Sequence, residues 1–173
     1  MNNDIITLIA NVALTLSFIV ALVFGIAQVK TAARDRKERF TLDALRNFQT
    51  REFAELIQFI NFRNPLSGSK ELRSLSERDQ VMFIQFGQEM ESLGMLVAEG
   101  YVDLDLVDKT LGSFVTSSWE KYRKVFMDIR VNQPDPFLGE YFQWLAERID
   151  ERMRLNPRKP FHETQASLPR KRL

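Results

Sequence analysis

The chain has 173 residues, a net charge of +1 at pH 7, no cysteine and a single histidine. Without cysteine it can form neither a disulfide nor a thiolate metal site, and one histidine is too few for a histidine-rich zinc or di-iron centre. The small net charge conceals a basic excess near both ends of the chain and an acidic excess between residues 40 and 153, where 19 acidic residues stand against 13 basic ones.

An apolar segment covers residues 5–29 and contains no charged side chain. About 20 apolar residues are enough for a helix to cross the hydrocarbon of a bilayer, so the segment predicts a transmembrane helix. A cleaved signal peptide would begin with basic residues and have a shorter apolar stretch. Basic residues follow the segment but do not precede it, which predicts residues 1–4 outside and the remaining chain on the cytoplasmic side of a cell (inner) membrane.

Two features of this helix predict contacts with another helix within the bilayer. Small residues recur at intervals of four, a spacing that lets the backbones of two membrane helices approach closely. Asn11 adds an amide that needs a hydrogen-bonding partner in hydrocarbon. We therefore expect a second copy or another membrane protein to pack on an association face. Its residues are Asn11, Ala13, Ser17, Ala21 and Gly25.

Residues 30–40 predict a basic helical segment at the membrane surface. Each juxtamembrane Lys or Arg gains about 1 kcal/mol beside an anionic leaflet. Anionic lipid headgroups are therefore the expected partners of this segment. Its basic residues are Lys30, Arg34, Arg36, Lys37 and Arg39.

Residues 41–155 have helical periodicity and predict a cytoplasmic helical domain. The helix from the membrane should continue, with a break near Thr41 or Thr50, until Asn64 and Pro65 end it. Helical spacing, with one lapse, predicts an apolar face that Phe53, Ile57 and Ile60 broaden. The face runs along Leu45, Phe48, Glu52, Leu56, Phe59 and Phe62. The Ser-Gly-Ser stretch around Gly68 predicts a surface loop.

The next three helices are marked by capping residues. Ser76 predicts the N-cap of a helix from Glu77 to about Glu99, Gly100 its left-handed end, and Asp103 the cap of a helix that extends to about Val131. Val81, Ile84 and Phe86 are expected on the apolar side of the first of these helices. Pro134 and Pro136 should end the second, and a last helix should run from Pro136 or Phe137 to about Leu155. Its expected inward stripe is Phe137, Tyr141, Trp144, Leu145, Ile149 and Met153.

These elements together predict an all-α protein: one N-terminal transmembrane helix followed by a small antiparallel bundle of about four helices. Residues 156–173 contain three prolines and clustered basic residues, which predicts a disordered tail. Anionic lipid, an acidic partner or nucleic acid are its candidate ligands. Lipid is favoured because it is near, and nucleic acid is not the expected partner.

Three segments resemble a family of small, largely bacterial proteins of unknown function that have one N-terminal transmembrane helix and a helical domain. They are GYVDLDLV at residues 100–107, WEKYRKVFMDIR at residues 119–130 and YFQWLAER at residues 141–148. The resemblance covers about two thirds of the chain. It implies a fold and a membrane location, but no activity.

The sequence predicts no catalytic residue, no cofactor and no metal site. Asp103, Asp105 and Asp108 lack the glycine turn and the distal glutamate of an EF-hand loop, and helix capping explains them. One speculative ligand site consists of a Trp and an Arg four residues apart on each of two helices. Binding there would require both arginines to line one cleft. The residues of this site are Trp119, Arg123, Trp144 and Arg148.

A membrane anchor together with a domain that lacks a catalytic motif favours a non-enzymatic, membrane-tethered interaction or accessory protein. Two other hypotheses remain open. The first is a small-ligand sensor or an enzyme that uses an arginine- or carboxylate-lined pocket between the helices. The second is binding of nucleic acid or anionic lipid through the basic tail.

Overall fold

In the computed structural model, which describes residues 2–132, 135–160 and 163, the chain is built from helices. The described α-helices are α1 (Asn2–Arg46), α2 (Arg51–Phe62), α3 (Ser69–Arg73), α4 (Glu77–Ala98), α5 (Leu104–Asn132) and α6 (Glu140–Leu155). A 3-10 turn at Asn47–Gln49 joins α1 to α2. The described ranges contain no β-strand, so the predicted all-α class is confirmed.

Helix α1 is one uninterrupted helix of 45 residues. At a rise of 1.5 Å per residue it is about 68 Å long. It passes through Thr41 without a break and ends before Thr50, whose hydroxyl accepts the N–H of Phe53 and caps α2. The apolar segment, the basic segment and the start of the domain therefore share a single helix.

Helices α4 and α6 pack closely against each other, and α5 runs antiparallel to both. The rings of Phe83 in α4 and Phe126 near the end of α5 are 5.8 Å apart, and Arg152 near the end of α6 pairs with Asp105 at the start of α5. Helix α2 lies beside α5 in the same direction, because Phe53 meets Phe114 and the carbonyl of Ile60 lies farther along α5.

Aromatic rings fill the core between these helices. Phe86 is fully buried and lies 5.5–6.2 Å, centroid to centroid, from four other rings, which are those of Phe83, Phe114, Tyr122 and Phe142. The pairs with Phe114 and Phe142 are edge-to-face, an arrangement that contributes about 0.5–1.5 kcal/mol beyond the area buried. The interior is therefore occupied by packed side chains.

The predicted caps of α4 and α5 are confirmed. The Ser76 hydroxyl accepts the N–H of Asp79, and the Asp103 carboxylate accepts the N–H groups of Asp105 and Leu106. Between the two helices Gly100 has a φ of 76°, a backbone conformation that glycine adopts without steric cost.

The predicted start of α6 and both ends of its inward stripe are wrong, whereas Leu145 and Ile149 in the middle of that stripe are buried as predicted. The helix begins at Glu140, after a turn in which the Phe137 N–H donates to Asp135 and its carbonyl accepts from Glu140. Phe137 is therefore 65 % exposed, whereas Phe142 is fully buried. Met153, also predicted to face inward, is exposed at the other end of α6.

The predicted inward faces of α2 and α4 are confirmed in part, because Leu56 and Phe86 are buried, and wrong in part. Phe62 is 85 % exposed and Glu52 is also exposed, contrary to the prediction, whereas Ile60, predicted on the same face, is fully buried. In α4 the exposed residues are Val81 and Ile84, and the inward ones are Phe83, Phe86, Met90, Leu93 and Val97. Both helices carry apolar residues on more than one face, so periodicity alone did not identify the buried side.

The segment around Gly68 is not the simple surface loop that the sequence predicts. Leu66 and Ser69 are buried, and the Ser69 N–H donates to the Asp128 carboxylate at 2.7 Å. Hydrogen bonding from the side chain and the backbone N–H of Ser69 lowers the pKa of Asp128, and Ser69 is the first residue of α3. The predicted helix end at Pro134 and most of the predicted tail, residues 161–162 and 164–173, lie outside the described residues.

Candidate functional site

The surface of α1 between residues 5 and 29 is apolar and uncovered. Its large apolar side chains are 49–70 % exposed, and no described residue of the domain packs on them. This helix is long enough and apolar enough to cross a membrane. Lipid or another apolar helix is the environment that would remove these side chains from water.

The polar groups of this segment bond mostly within α1. The Thr7 hydroxyl donates to the carbonyl of Asn3 and the Thr15 hydroxyl to that of Asn11, but the Asn11 amide bonds to no other described residue. In a continuous helix, Asn11 lies about 160° around the axis from Ala13. Asn11 is therefore not on the same face as Ala13, contrary to the predicted grouping.

The small residues Ala13, Ser17, Ala21 and Gly25 drift by about 40° with each step of four, so they form a slanted stripe on one side of α1. A Cβ added at Gly25 would meet no atom within 4 Å. The stripe is thus open to a neighbouring helix. Its role in association stays a prediction.

The five basic residues of the predicted membrane-surface segment are all exposed on α1. None of them forms an ion pair with another described residue, although Asp35 and Glu38 lie on the same helix. Lys30, Arg34 and Lys37 share one face with Thr41, because their spacings are four, three and four. These cations are therefore free for an external anion.

Thr41 joins the long helix to the domain. It is fully buried, its hydroxyl donates to the carbonyl of Lys37, and the same oxygen accepts the N–H of Asp103 at 3.1 Å. Beside it, the ring of Phe40 meets that of Tyr101 edge-on at 6.2 Å. The turn between α4 and α5 is thereby fixed to α1, about 18 Å along the helix from Val29.

Replacing Thr41 with valine is expected to lower the free energy of unfolding by about 1 kcal/mol, because the partly buried N–H of Asp103 loses its acceptor. Urea unfolding of the detergent-solubilised chain, followed by tryptophan fluorescence, measures this change, since both tryptophans lie in the domain. Thr110→Val is the matched control, because Thr110 is exposed and bonds only to carbonyls of its own helix. An equal effect of the two substitutions would contradict the assigned role of Thr41.

The four residues of the speculative ligand site do not line one cavity. Trp119 belongs to the core, where its ring lies 5.1 Å from that of Phe142. Arg123 pairs with Glu120 at 3.2 Å and borders a cleft of about 450 Å³ that Arg148 does not line. Arg148 pairs with Glu151 and lies over the ring of Trp144, 5.9 Å from its centroid. The two arginines thus stand in separate, solvent-exposed ion pairs.

Lys121 and Tyr122 close the C-terminal end of α2. The Lys121 ammonium donates to the carbonyls of Ile60 and Asn61 at 2.7 and 2.9 Å, and the Tyr122 hydroxyl donates to that of Ile60 at 3.0 Å. Burial lowers the pKa of Lys121 and raises the pKa of Tyr122 to about 12. Ser118, one helical turn before them, donates to the carbonyl of Val115.

The acidic residues at the start of α5 have structural partners. Asp103 caps the helix, and Asp105 pairs with Lys109 and with Arg152. Lys109 lowers the pKa of Asp105 by hydrogen bonding. Within the described part of the chain, no group of three or more His, Cys, Asp or Glu residues is placed to hold a metal ion. His162 lies outside the described residues.

The match to a protein family covers both the long helix and the helical domain. Residues 15–149 match the model of a family described as a domain of unknown function, DUF4760. The chain belongs to this family. No curated protein and no solved structure matches it.

The DUF4760 match begins inside the apolar segment of α1 and ends within α6. It therefore contains the end of the candidate membrane span, the basic segment, Thr41 and most of the helical domain. The predicted membership of an uncharacterised family is confirmed, and residues 150–173 lie outside the match.

Proposed function

We propose that this DUF4760 protein is a membrane-tethered, non-enzymatic interaction or accessory protein. Helix α1 crosses the cell (inner) membrane with its N-terminus outside, and the domain is held on the cytoplasmic side. The observation that carries the proposal is an exposed, uncharged stretch of 25 residues on the same helix that is fixed to the domain at Thr41. A helix that is continuous from bilayer to domain keeps the domain at the membrane.

The positions of the polar residues in the domain favour an interaction role over the binding or conversion of a small ligand. Aromatic rings occupy the centre of the bundle, and Arg123 and Arg148 stand in separate ion pairs at its surface. A sensor or enzyme would gather such groups around one cavity. The open stripe along α1 offers a contact for a second copy or another membrane helix.

The membrane tether is tested by cysteine labelling, which the chain suits because it contains no cysteine of its own. Asn3→Cys and Gln58→Cys place single thiols at exposed positions on opposite sides of the span. In intact cells a membrane-impermeant maleimide is expected to label position 3, and position 58 only after lysis. The reversed pattern would refute the orientation, and full-length protein in a detergent-free high-speed supernatant would refute the tether.

The interaction role is tested by crosslinking in native membranes. A disulfide-linked dimer, or an adduct with another protein, is expected for Ser17→Cys. The matched control is Ile19→Cys, which lies about 160° away around the helix. If crosslinking and mass measurement of the solubilised protein show only monomer, the interaction role is wrong while the tether can still stand.

A further inference from the structure

The end of the domain where α1 docks is also the end at which α6 terminates. Asp103 at the start of α5 donates its N–H to Thr41. Two residues later, Asp105 accepts a hydrogen bond of 3.0 Å from Arg152, in the last turn of α6. The segment that follows α6 therefore leaves the domain beside the point where α1 enters it. We call this region the α1-proximal end.

The α1-proximal end concentrates cations that the fold does not use. Arg158 and Lys159 are exposed and form no ion pair with another described residue, and the same holds for the five basic residues of α1. Elsewhere in the domain Arg63 pairs with Asp79 and Arg148 with Glu151, although Lys70, Arg78 and Lys124 also lack an ion pair with a described residue. Seven cations without an ion pair to a described residue therefore lie along α1 and beside the end of α6.

The acidic residues at this end do not neutralise it. The carboxylate of Asp103 is engaged by backbone N–H groups, and Asp105 and Asp108 face Arg152. At this end Asp35, Glu38, Glu99 and Asp103 form no ion pair with another described residue. These four acids stand against seven such cations, so the α1-proximal end attracts anions.

Apolar side chains lie among these cations. Leu155, the last residue of α6, is 80 % exposed, and Tyr101 and Phe40 are about half exposed. Arg158 and Leu155 border the same cleft of about 370 Å³. Basic residues interleaved with a tyrosine and exposed apolar groups are typical of surfaces that enter the headgroup region of a bilayer.

The distance to the bilayer is short enough for contact. Thr41 lies about 18 Å along α1 from Val29, and the headgroup layer extends about 5–7 Å beyond the hydrocarbon. An upright α1 would leave a gap of about 11–13 Å, close to the Debye length of about 8–10 Å at moderate salt. The uncharged stretch of about 37 Å exceeds a hydrocarbon core of about 30 Å, and the resulting tilt brings the α1-proximal end toward the surface.

We propose that the α1-proximal end binds the anionic headgroups of the leaflet from which α1 emerges, so that the domain lies against the bilayer. This inference rests on the proposed tether. The binding groups are Lys30, Arg34 and Lys37, on the face of α1 above the domain, with Arg158 and Lys159 beside α6. Docking in this way fixes which domain surfaces remain accessible to a partner.

Depth measurements on the full chain in vesicles test this proposal. A bimane label on Asn156→Cys reports contact with the surface, and a label on Val131→Cys, at the far end of α5, is the reference. Quenching by a headgroup spin-labelled lipid is expected to increase at position 156 when phosphatidylglycerol is added to phosphatidylcholine vesicles. Added salt should reverse the increase, and position 131 should not respond.

Two double variants, each removing two positive charges at one end of the domain, provide a matched comparison. The double variant Arg158→Gln with Lys159→Gln is expected to lower the ratio of docked to free domain about 30-fold, from about 1 kcal/mol for each cation near an anionic surface. Lys70→Gln with Lys124→Gln removes the same charge at the opposite end and should leave the ratio unchanged. Equal effects of the two double variants, or quenching independent of phosphatidylglycerol, would overturn the proposal.

Flotation of the same vesicles separates the two proposals. A chain that fails to float with lipid refutes the membrane tether and, with it, the docking. A chain that floats but shows no dependence on the anionic lipid retains the tether and refutes the docking alone.

Discussion

Replacing Phe142 with alanine is expected to lower the free energy of unfolding by about 3–5 kcal/mol, because removing a buried ring loses its transfer free energy and leaves a cavity. Phe142 is fully buried, and its ring lies 5.1–5.7 Å from those of Phe86, Trp119 and Phe126. The lost ring connects α6 to both α4 and α5. Urea unfolding of the solubilised chain, followed by tryptophan fluorescence, measures the loss.

The matched control for this substitution is Phe137→Ala. Phe137 is exposed in the turn before α6, so its removal should change the free energy of unfolding by less than about 0.5 kcal/mol. Periodicity in the sequence predicts the opposite order, with Phe137 inside. A larger effect at Phe137 than at Phe142 would show that the register of α6 described above is incorrect.

Gly94→Ala is expected to lower the free energy of unfolding by about 2–3 kcal/mol, in the upper part of the usual range for overpacking. A Cβ at this position would lie 2.3 Å from the carbonyl oxygen and 2.5 Å from the carbonyl carbon of Tyr141. Both atoms belong to the backbone of α6 and cannot rotate away as a side chain can. Helices α4 and α6 would have to separate, and the same urea titration reports the cost.

Gly87→Ala in the same helix should have the opposite sign. Its added Cβ would be 3.6 Å from the ring of Phe126, which is an ordinary van der Waals distance. Alanine in a helix interior is favoured over glycine, so we expect a gain of about 0.5–1 kcal/mol. If Gly94→Ala were equally stabilising, the close approach of α4 to α6 would be disproved.

The two glycines show what a single sequence leaves undecided. Gly87 and Gly94 are seven residues apart and occupy similar positions along the same apolar pattern. Only the approach of the Tyr141 backbone distinguishes them, and that residue lies 47 positions later in the chain than Gly94. No pattern within α4 carries this information.

The candidate site divides in the same way. The apolar span and the basic segment can be recognised in the sequence, because each depends on the composition of adjacent residues. The role of Thr41 cannot be recognised there, since its partner Asp103 is 62 residues away. The same applies to Lys121 and Tyr122, whose acceptor carbonyls on α2 lie 60–62 residues earlier. The sequence would have revealed these hydrogen bonds only if the bonded residues were close together in the chain.

The sequence by itself determined the helical class, the uncharged segment able to cross a bilayer, and the caps at Ser76 and Asp103, because these features depend on neighbours within one or two helical turns. The tertiary structure decided which faces of α2, α4 and α6 are buried, because each helix offers more than one apolar face and its partner helices select among them. It also brought the end of α6 beside α1, and the physical reason is again distance along the chain: residues far apart in sequence meet only after the bundle has formed.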